Sequence, residues 1–71
     1  MKKEVIGEFL AERRKSLGVR QKELAALCGI SEHALVNLER GNGNPTLAVL
    51  DSVLDVLGLE IDIKAKDAEL R

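Results

Sequence analysis

The sequence has few of the residues that build disulfide frameworks, metal centres or membrane spans. Its 71 residues include one Phe, one Cys, no Trp and no Tyr. Cys28 alone cannot form an intramolecular disulfide and is too little for a cysteine-based zinc site. No apolar run reaches the roughly 18 residues that cross a bilayer, and no apolar segment follows the basic start as in a signal peptide. We therefore predict a small cytoplasmic binding domain with no metal, cofactor or membrane partner.

The length limits what the chain can do. A chain of this size fits one domain, here residues 1–71, and buries only about 60% of the surface that it exposes when unfolded. A deep catalytic cleft is not expected, and His33 has no candidate nucleophile at useful spacing. We predict that the protein is not an enzyme and that a partner contributes to its stability.

Charge is unevenly distributed, although the formal net charge is only −1. Residues 1–22 contain seven Lys and Arg against three Glu, whereas residues 51–71 contain six acidic and three basic residues. A polyanion would therefore meet the N-terminal third of the chain. The small net charge argues against a protein that coats nucleic acid without discrimination.

Helical spacing of apolar residues runs through most of the chain. With Gly18, Gly29 and Gly58 as stop signals and Ser31 and Thr46 as N-caps, it predicts four helices. The expected ranges are about 4–17, 21–28, 31–39 and Thr46 to Gly58, with a loop from Arg40 to Pro45. The residues expected to face inward are Ile6, Leu10, Leu17, Leu24, Leu27, Cys28, Leu35, Leu38, Leu50, Val53, Leu54 and Leu57.

The period of the pattern changes to two after Gly58. Leu59, Ile61 and Ile63 alternate with charged residues, which predicts a strand over about 59–64. A single strand has no partner in its own chain, and its free N–H and C=O groups favour pairing with a second copy. We predict a homodimer in which these three apolar residues lie at the interface, across a two-fold axis. Residues 65–71 form a loose polar tail in this interpretation.

Two charged residues fall on apolar stripes. Arg14 lies between Leu10 and Leu17 on the first helix, and Glu39 follows Leu35 by four residues on the third. A charge that faces a core must be paired or it costs several kcal/mol. We predict an ion pair between Arg14 and Glu39; the alternative is that both lie at the edge of the stripe and reach solvent.

The outward face of the third helix could read DNA. It carries Glu32, His33, Val36 and Asn37, with Arg40 at its end. His33 and Asn37 can hydrogen-bond base edges, an Asn pairs well with adenine, and Val36 could contact a thymine methyl group. The alternative is an ordinary solvated helix with one tolerated Val.

Two further segments could hold an anion. Arg20, Gln21 and Lys22 place donors at the start of the second helix, where backbone amides also favour anions. Residues 40–44 combine Arg40, Asn42 and Asn44 with glycines that allow close backbone approach. As an isolated signal, such a loop is more often a plain turn.

Together these segments resemble the Xre/Cro-type helix-turn-helix family. The motifs are VRQKELA at 19–25, GIS at 29–31, Leu35, LERG at 38–41 and NPTL at 44–47, and the resemblance covers about residues 4–58. It implies an all-α, lambda-repressor-like bundle in which the second and third helices form the helix-turn-helix, and the third enters the major groove.

The resemblance also implies roles for individual residues. Gln21 would bind a phosphate and brace the recognition helix, and Arg14 and Glu39 stand where the family commonly has an Arg–Glu pair. The residues expected to face bases or phosphates are Ser31, Glu32, His33 and Asn37, and those expected on the DNA backbone are Arg40, Asn42 and Asn44.

Two positions depart from the family pattern. Arg20 replaces a Thr or Ser cap and is itself a candidate phosphate contact in this interpretation. Glu32 replaces a polar or basic residue, and phosphates repel its carboxylate unless it accepts from cytosine N4. It could instead exclude wrong sequences.

The function predicted from the sequence is sequence-specific DNA binding by a transcriptional regulator, a repressor that binds a palindromic operator as a homodimer. The segment after Gly58 looks like the HipB-type antitoxin branch, in which C-terminal strands of two subunits pair. The alternative function is therefore that of an antitoxin, which binds a kinase-fold toxin and regulates its own operon.

Overall fold

Four helices make up the regular structure of the chain. The computed structural model describes residues 2–65 and contains α1 (Lys3–Ser16), α2 (Gln21–Cys28), α3 (Glu32–Arg40) and α4 (Leu47–Leu57). The predicted all-α bundle is confirmed, and each predicted helix is present with ends shifted by at most one residue. None of the described helices is long and apolar enough to cross a membrane.

Local side-chain chemistry sets the helix ends. Ser31 Oγ accepts a hydrogen bond from the Ala34 N–H at 3.0 Å, and Thr46 Oγ1 accepts one from the Val49 N–H at 3.1 Å. These are N-caps, which satisfy a backbone donor that the first helical turn leaves free. Gly29, Gly41 and Gly58 end α2, α3 and α4 in the left-handed conformation.

The core lies where the four helices meet. Leu10 from α1, Leu24 from α2, Leu35 from α3 and Leu57 from α4 are each at most 1% exposed. Complete burial of a leucine contributes about 1.5–3 kcal/mol relative to leaving it exposed. The small core therefore depends on these few side chains, and α3 is held by its inward face while its outward face stays free.

Two leucines predicted to face inward are exposed. Leu17 is 47% exposed because α1 ends at Ser16 and Leu17 already lies in the cap. Leu27 is 66% exposed, since Leu24 and Ala25 supply the buried face of the short α2. Cys28 is half-buried; its thiol lies 3.7 Å from the Ser52 carbonyl oxygen, and burial raises the pKa of that thiol.

The predicted strand at 59–64 is absent from the single chain. Residues 59–65 have no regular secondary structure, because a strand needs the backbone of a neighbour to pair with. Leu59 still packs against the core and its N–H donates to the Leu54 carbonyl at 2.8 Å. Pairing of these residues across a dimer stays a prediction, and residues 66–71 of the predicted tail lie outside the described residues.

α1 and α3 approach each other closely at two glycines. A Cβ atom on Gly7 would lie 2.5 Å from the carbonyl oxygens of Leu38 and Glu39. A Cβ atom on Gly41, whose φ is +75°, would lie 2.7 Å from the Cα atom of Glu4. Only glycine fits either place, and these contacts fix α3 against α1 through the backbone.

Candidate nucleic-acid interface

The candidate interface is the outward face of α3 and the segments beside it. α2 and α3 are joined by a short turn, in which the Ile30 N–H donates to the Ala25 carbonyl at 3.0 Å before Ser31 caps α3. Leu35 and Leu38 are buried on the inward side of α3. The helix therefore presents its other side to solvent as a fixed surface.

His33 and Asn37 lie one turn apart on this exposed face. His33 is exposed and Asn37 is half-buried. The amide nitrogen of Asn37 lies 3.2 Å from His33 Nε2, which is a hydrogen-bond distance. Glu32 is exposed before them and Val36 is half-buried beside them. The structure thus brings together the two side chains predicted to read bases and connects them directly.

Arg14 and Glu39 form a two-pronged ion pair behind this face. Arg14 Nε lies 2.7 Å from Glu39 Oε2, and Arg14 Nη2 lies 3.0 Å from Glu39 Oε1. Arg14 also donates to the Val19 carbonyl at 2.9 Å. The two side chains are only 9% and 5% exposed. The pair therefore connects α1, the α1–α2 turn and the end of α3.

Gln21 joins this cluster at the start of α2. Its amide nitrogen donates to Glu39 Oε1 at 2.9 Å, so Gln21 connects α2 to the end of α3. The bracing contact implied by the family resemblance is present in this geometry. Arg20 precedes Gln21 as an exposed N-cap whose guanidinium makes no cap hydrogen bond. Instead the backbone N–H of Arg20 donates to the Glu23 carboxylate at 3.2 Å.

The loop after α3 adds polar groups at the other end of the face. Arg40 is exposed in the last turn of α3, and Asn42 and Asn44 are exposed in the loop. Asn37, Asn42 and Asn44 line one shallow groove between α3 and α4. Two of the predicted DNA-backbone residues, Asn42 and Asn44, therefore lie beside Asn37 in one groove.

Lys3 is a residue of this region that the sequence interpretation missed. Its Nζ atom donates to the Gly43 carbonyl at 2.9 Å and to Asn44 Oδ1 at 3.3 Å. The contact joins the first turn of α1 to a loop about 40 residues later, and no local sequence signal marks it. Its basic charge in the positively charged N-terminal third was the only available indication.

The predicted dimer residues lie away from the α3 face. Leu59 is half-buried against the bundle, Ile61 is 45% exposed and Ile63 is 87% exposed. The exposed apolar residues Val5 and Phe9 on α1 border the same surface as Leu59. The C-terminal segment therefore carries apolar side chains that its own chain leaves in solvent.

The described residues hold no arrangement typical of a metal centre. Within residues 2–65, no three or more His, Cys, Asp or Glu side chains are grouped so as to hold an ion. The α3 face offers the hydrogen-bonding groups of His33 and Asn37, together with the exposed Glu32 carboxylate and the exposed Arg40 guanidinium.

Comparison with known proteins gives a consistent result. A family model described as Helix-turn-helix matches residues 10–64. The HTH-type transcriptional regulator YazB of Bacillus subtilis is 36% identical over 62 residues, which cover 87% of this chain and 90% of the relative. The solved structure of the biofilm master regulator SinR in complex with DNA is similar with a TM-score of 0.71 and 32% identity, covering 78% of this chain and 89% of that one.

A further solved structure is similar in fold. A chain of the HipA-HipB-O2-O3 complex superimposes with a TM-score of 0.83 and covers 94% of each chain. Its identity of 24% shows a shared fold alone.

Proposed function

Because the chain belongs to the helix-turn-helix family of DNA-binding transcriptional regulators, we propose that it is a repressor that binds a palindromic operator as a homodimer. A cytoplasmic location is part of the same proposal. The observation that carries the proposal is the exposed face of α3, where His33 and Asn37 stand beside Arg40 on a helix held from behind by a buried ion pair. The similarity to SinR, whose structure contains DNA, supports the same interpretation.

In this proposal α3 enters the major groove and the flanking segments bind the DNA backbone. Asn37 and His33 read base edges. Glu32 discriminates between DNA sequences, either by accepting a hydrogen bond from cytosine N4 or by disfavouring the wrong sequences. Ser31 and Gln21 approach phosphates at the starts of α3 and α2. The remaining backbone contacts are assigned to Arg20, Arg40, Asn42 and Asn44.

The operator test separates base readout from phosphate binding. Selection of bound sequences from a random DNA pool, at about physiological salt, should return a two-fold symmetric consensus. Asn37→Ala should then relax the preference at one base pair per half-site, worth about 1–3 kcal/mol. Arg40→Ala should weaken binding to all sequences alike and reduce the salt dependence by about one phosphate contact.

Lys15→Ala is the matched control for Arg40→Ala. Lys15 is an exposed base in the last turn of α1, outside the proposed interface, and its loss should leave binding unchanged. Absence of any enriched sequence would contradict the operator proposal. An unchanged consensus in Asn37→Ala would show that α3 does not read bases as proposed.

The homodimer is proposed to form through Leu59, Ile61 and Ile63. Two-fold pairing of the 59–64 segments would give the free backbone groups their partners and cover the exposed Ile61 and Ile63 side chains. A two-fold dimer places its recognition helices at half-sites about one helical turn, roughly 34 Å, apart. This matches the palindrome that the operator test looks for.

Substitution within the segment tests the dimer. Ile61→Lys should shift the molecular mass measured by light scattering from dimer to monomer. It should also weaken operator binding, because the two half-sites no longer act together. Asp62→Lys is the matched control. It introduces a lysine at the next residue, on the opposite face of the predicted strand, and this variant should stay dimeric. If the Ile61→Lys protein remains dimeric, the dimer interface lies elsewhere on the chain.

The antitoxin role stays a separate hypothesis. The likeness to a chain of the HipA-HipB-O2-O3 complex extends over 94% of this chain, but it is a likeness of fold. A kinase-fold toxin is the partner this hypothesis requires. Its test is co-purification from the native host, where repeated recovery of one kinase-like protein supports it and recovery of this chain alone contradicts it.

The family consists of transcriptional regulators, which are typically not enzymes. We propose that this chain likewise acts by binding and has no catalytic activity. The α3 face supports this proposal, since its exposed His33 contacts an amide rather than a nucleophile.

A further inference from the structure

Lys3 connects the first turn of α1 to the middle of the loop between α3 and α4. Its Nζ atom lies 2.9 Å from the Gly43 carbonyl oxygen and 3.3 Å from Asn44 Oδ1. Neither of the ion pairs found within residues 2–65 involves Lys3. In this contact the ammonium group is therefore held by neutral oxygens rather than by a carboxylate.

The ammonium group determines how the Asn44 amide is turned. An ammonium has three N–H donors and no acceptor, whereas an amide has an acceptor oxygen on one side and two N–H donors on the other. The oxygen of Asn44 must face Lys3, because the reversed amide would bring N–H groups against N–H groups. The contact therefore has a single possible direction, and it turns the amide nitrogen of Asn44 away from Lys3.

A DNA phosphate requires an amide in this orientation. Phosphate oxygens accept hydrogen bonds but cannot donate them, and Asn is among the side chains that bind them. Asn44 can therefore bind a phosphate only through its amide nitrogen. With the amide reversed, the same side chain would bring its oxygen against the phosphate oxygens, which is repulsive.

The backbone of the loop is held on both sides of the Lys3 contact. At the end of α3, the Asn42 N–H donates to the Asn37 carbonyl oxygen at 2.9 Å. At the start of α4, the Thr46 side chain is the N-cap. Gly43 lies between these two points with a φ of +73°. Lys3 therefore binds the middle of a loop whose two ends are already fixed.

Asn44 lies between Lys3 and the proposed DNA interface. Together with Lys3 it lines a cavity of about 190 Å³ beside the start of α1. It also lines the shallow groove that contains Asn37 of α3. Asn44 is exposed. One side chain thus borders both the α1 contact that orients it and the surface on which DNA is proposed to bind.

We propose that Lys3 is a positioning residue for DNA binding, which holds the Asn44 amide with its oxygen toward α1 so that the amide nitrogen donates to a phosphate of the operator. The inference rests on the proposed function, in which Asn44 is a contact to the DNA backbone. It gives the first turn of α1 a part in that contact, and it does not require Lys3 itself to touch DNA.

A double-mutant cycle on operator affinity tests the proposal. Lys2→Ala is the matched control, because Lys2 is exposed, makes no side-chain cap hydrogen bond and loses the same charge. Lys3→Ala should weaken binding about three- to tenfold more than Lys2→Ala, as expected for the loss of one hydrogen bond. In an Asn44→Ala background the two lysine variants should differ by less than about twofold, because Lys3 acts through Asn44.

Two further variants separate orientation of the amide from a general structural role. Lys3→Arg should restore most of the affinity, since a guanidinium also has donors only. Asn44→Asp keeps an oxygen for Lys3 but has no donor for a phosphate, so it should bind more weakly than Asn44→Ala. An Asn44→Asp protein that binds as tightly as the unaltered chain would contradict the proposal.

The outcomes distinguish this inference from the proposed function. If the protein selects a symmetric operator but Lys3→Ala and Lys2→Ala bind alike, or if the excess loss of Lys3→Ala persists in Asn44→Ala, the inference alone is overturned. A protein that selects no operator overturns both. Nitrogen-15 NMR of the free protein gives an independent result: the side-chain amide signal of Asn44 should shift in Lys3→Ala but not in Lys2→Ala, and an unchanged signal would contradict the contact.

Discussion

Within residues 2–65, ion pairs are found in two regions of the molecule, and they differ in burial and in hydrogen bonding. At the junction of α1, α2 and α3, Arg14 and Glu39 are 9% and 5% exposed and lie 2.7 Å apart. In the C-terminal segment, Lys64 and Asp62 are 80% and 72% exposed and lie 3.5 Å apart. The first pair is surrounded by further hydrogen bonds to Val19 and Gln21, whereas the second lies in water.

The difference shows that burial and complete hydrogen bonding, rather than opposite charge, make an ion pair a structural element. Exposed pairs contribute about 0–1 kcal/mol because water competes and salt screens them. Removing one member of a buried pair leaves the other charge in a poor solvent, which is strongly destabilising. The junction should therefore be sensitive to substitution and the C-terminal segment tolerant.

Arg14→Ala should have the largest effect. It leaves the Glu39 carboxylate buried without its cation, and we expect a loss of about 3–5 kcal/mol in the free energy of unfolding. Urea denaturation followed by circular dichroism measures it. Arg13→Ala is the control, since Arg13 loses only one hydrogen bond, from its Nε to the Leu57 carbonyl. Equal stability of both variants would refute the special role of the junction.

Gln21→Ala should have an intermediate effect. It removes the hydrogen bond from the Gln21 amide to Glu39 but leaves Arg14 in place, so a loss of about 1–2 kcal/mol is expected. Thermal unfolding measures it, and Lys22→Ala, at the exposed neighbouring position, should change little. A loss as large as that of Arg14→Ala would mean that the amide, not the guanidinium, holds the cluster together.

Lys64→Ala should have the smallest effect. The pair with Asp62 is exposed on both sides, so the free energy of unfolding should change by less than about 0.5 kcal/mol. The measurement is again chemical denaturation, now at low and high salt. A loss above about 1 kcal/mol would show that this segment is more ordered in solution than its exposure indicates.

The sequence predicted those parts of the structure that depend on local chemistry. The caps at Ser31 and Thr46 involve residues three positions apart, and the glycine stops need only one residue each. The ion pair between Arg14 and Glu39 could be inferred because each charge lies on an apolar stripe, where only a partner makes it tolerable. The candidate base-reading face followed from the same periodicity.

Other features depend on geometry that only the assembled chain contains. Nothing local marks Gly7 or Lys3, because their contacts lie more than 30 residues away, at Leu38 and at Gly43. Leu27 was misplaced because a two-turn helix needs only one narrow face to bury. A strand at 59–64 would need a second backbone to pair with, and residues 59–65 of the single chain have no regular secondary structure.

The close approach of α1 and α3 has a consequence for how specificity could be engineered. At Gly7, which lies against carbonyl oxygens of α3, and at Gly41, which lies against the α1 backbone, no side chain separates the two helices. α1 and α3 should therefore move together as a rigid body. A variant with a larger residue at Gly7 would keep every side chain of the proposed DNA interface but would change the orientation of α3 relative to α1. Base specificity would then be lost through a substitution at a residue that has no side chain and lies outside the proposed DNA interface.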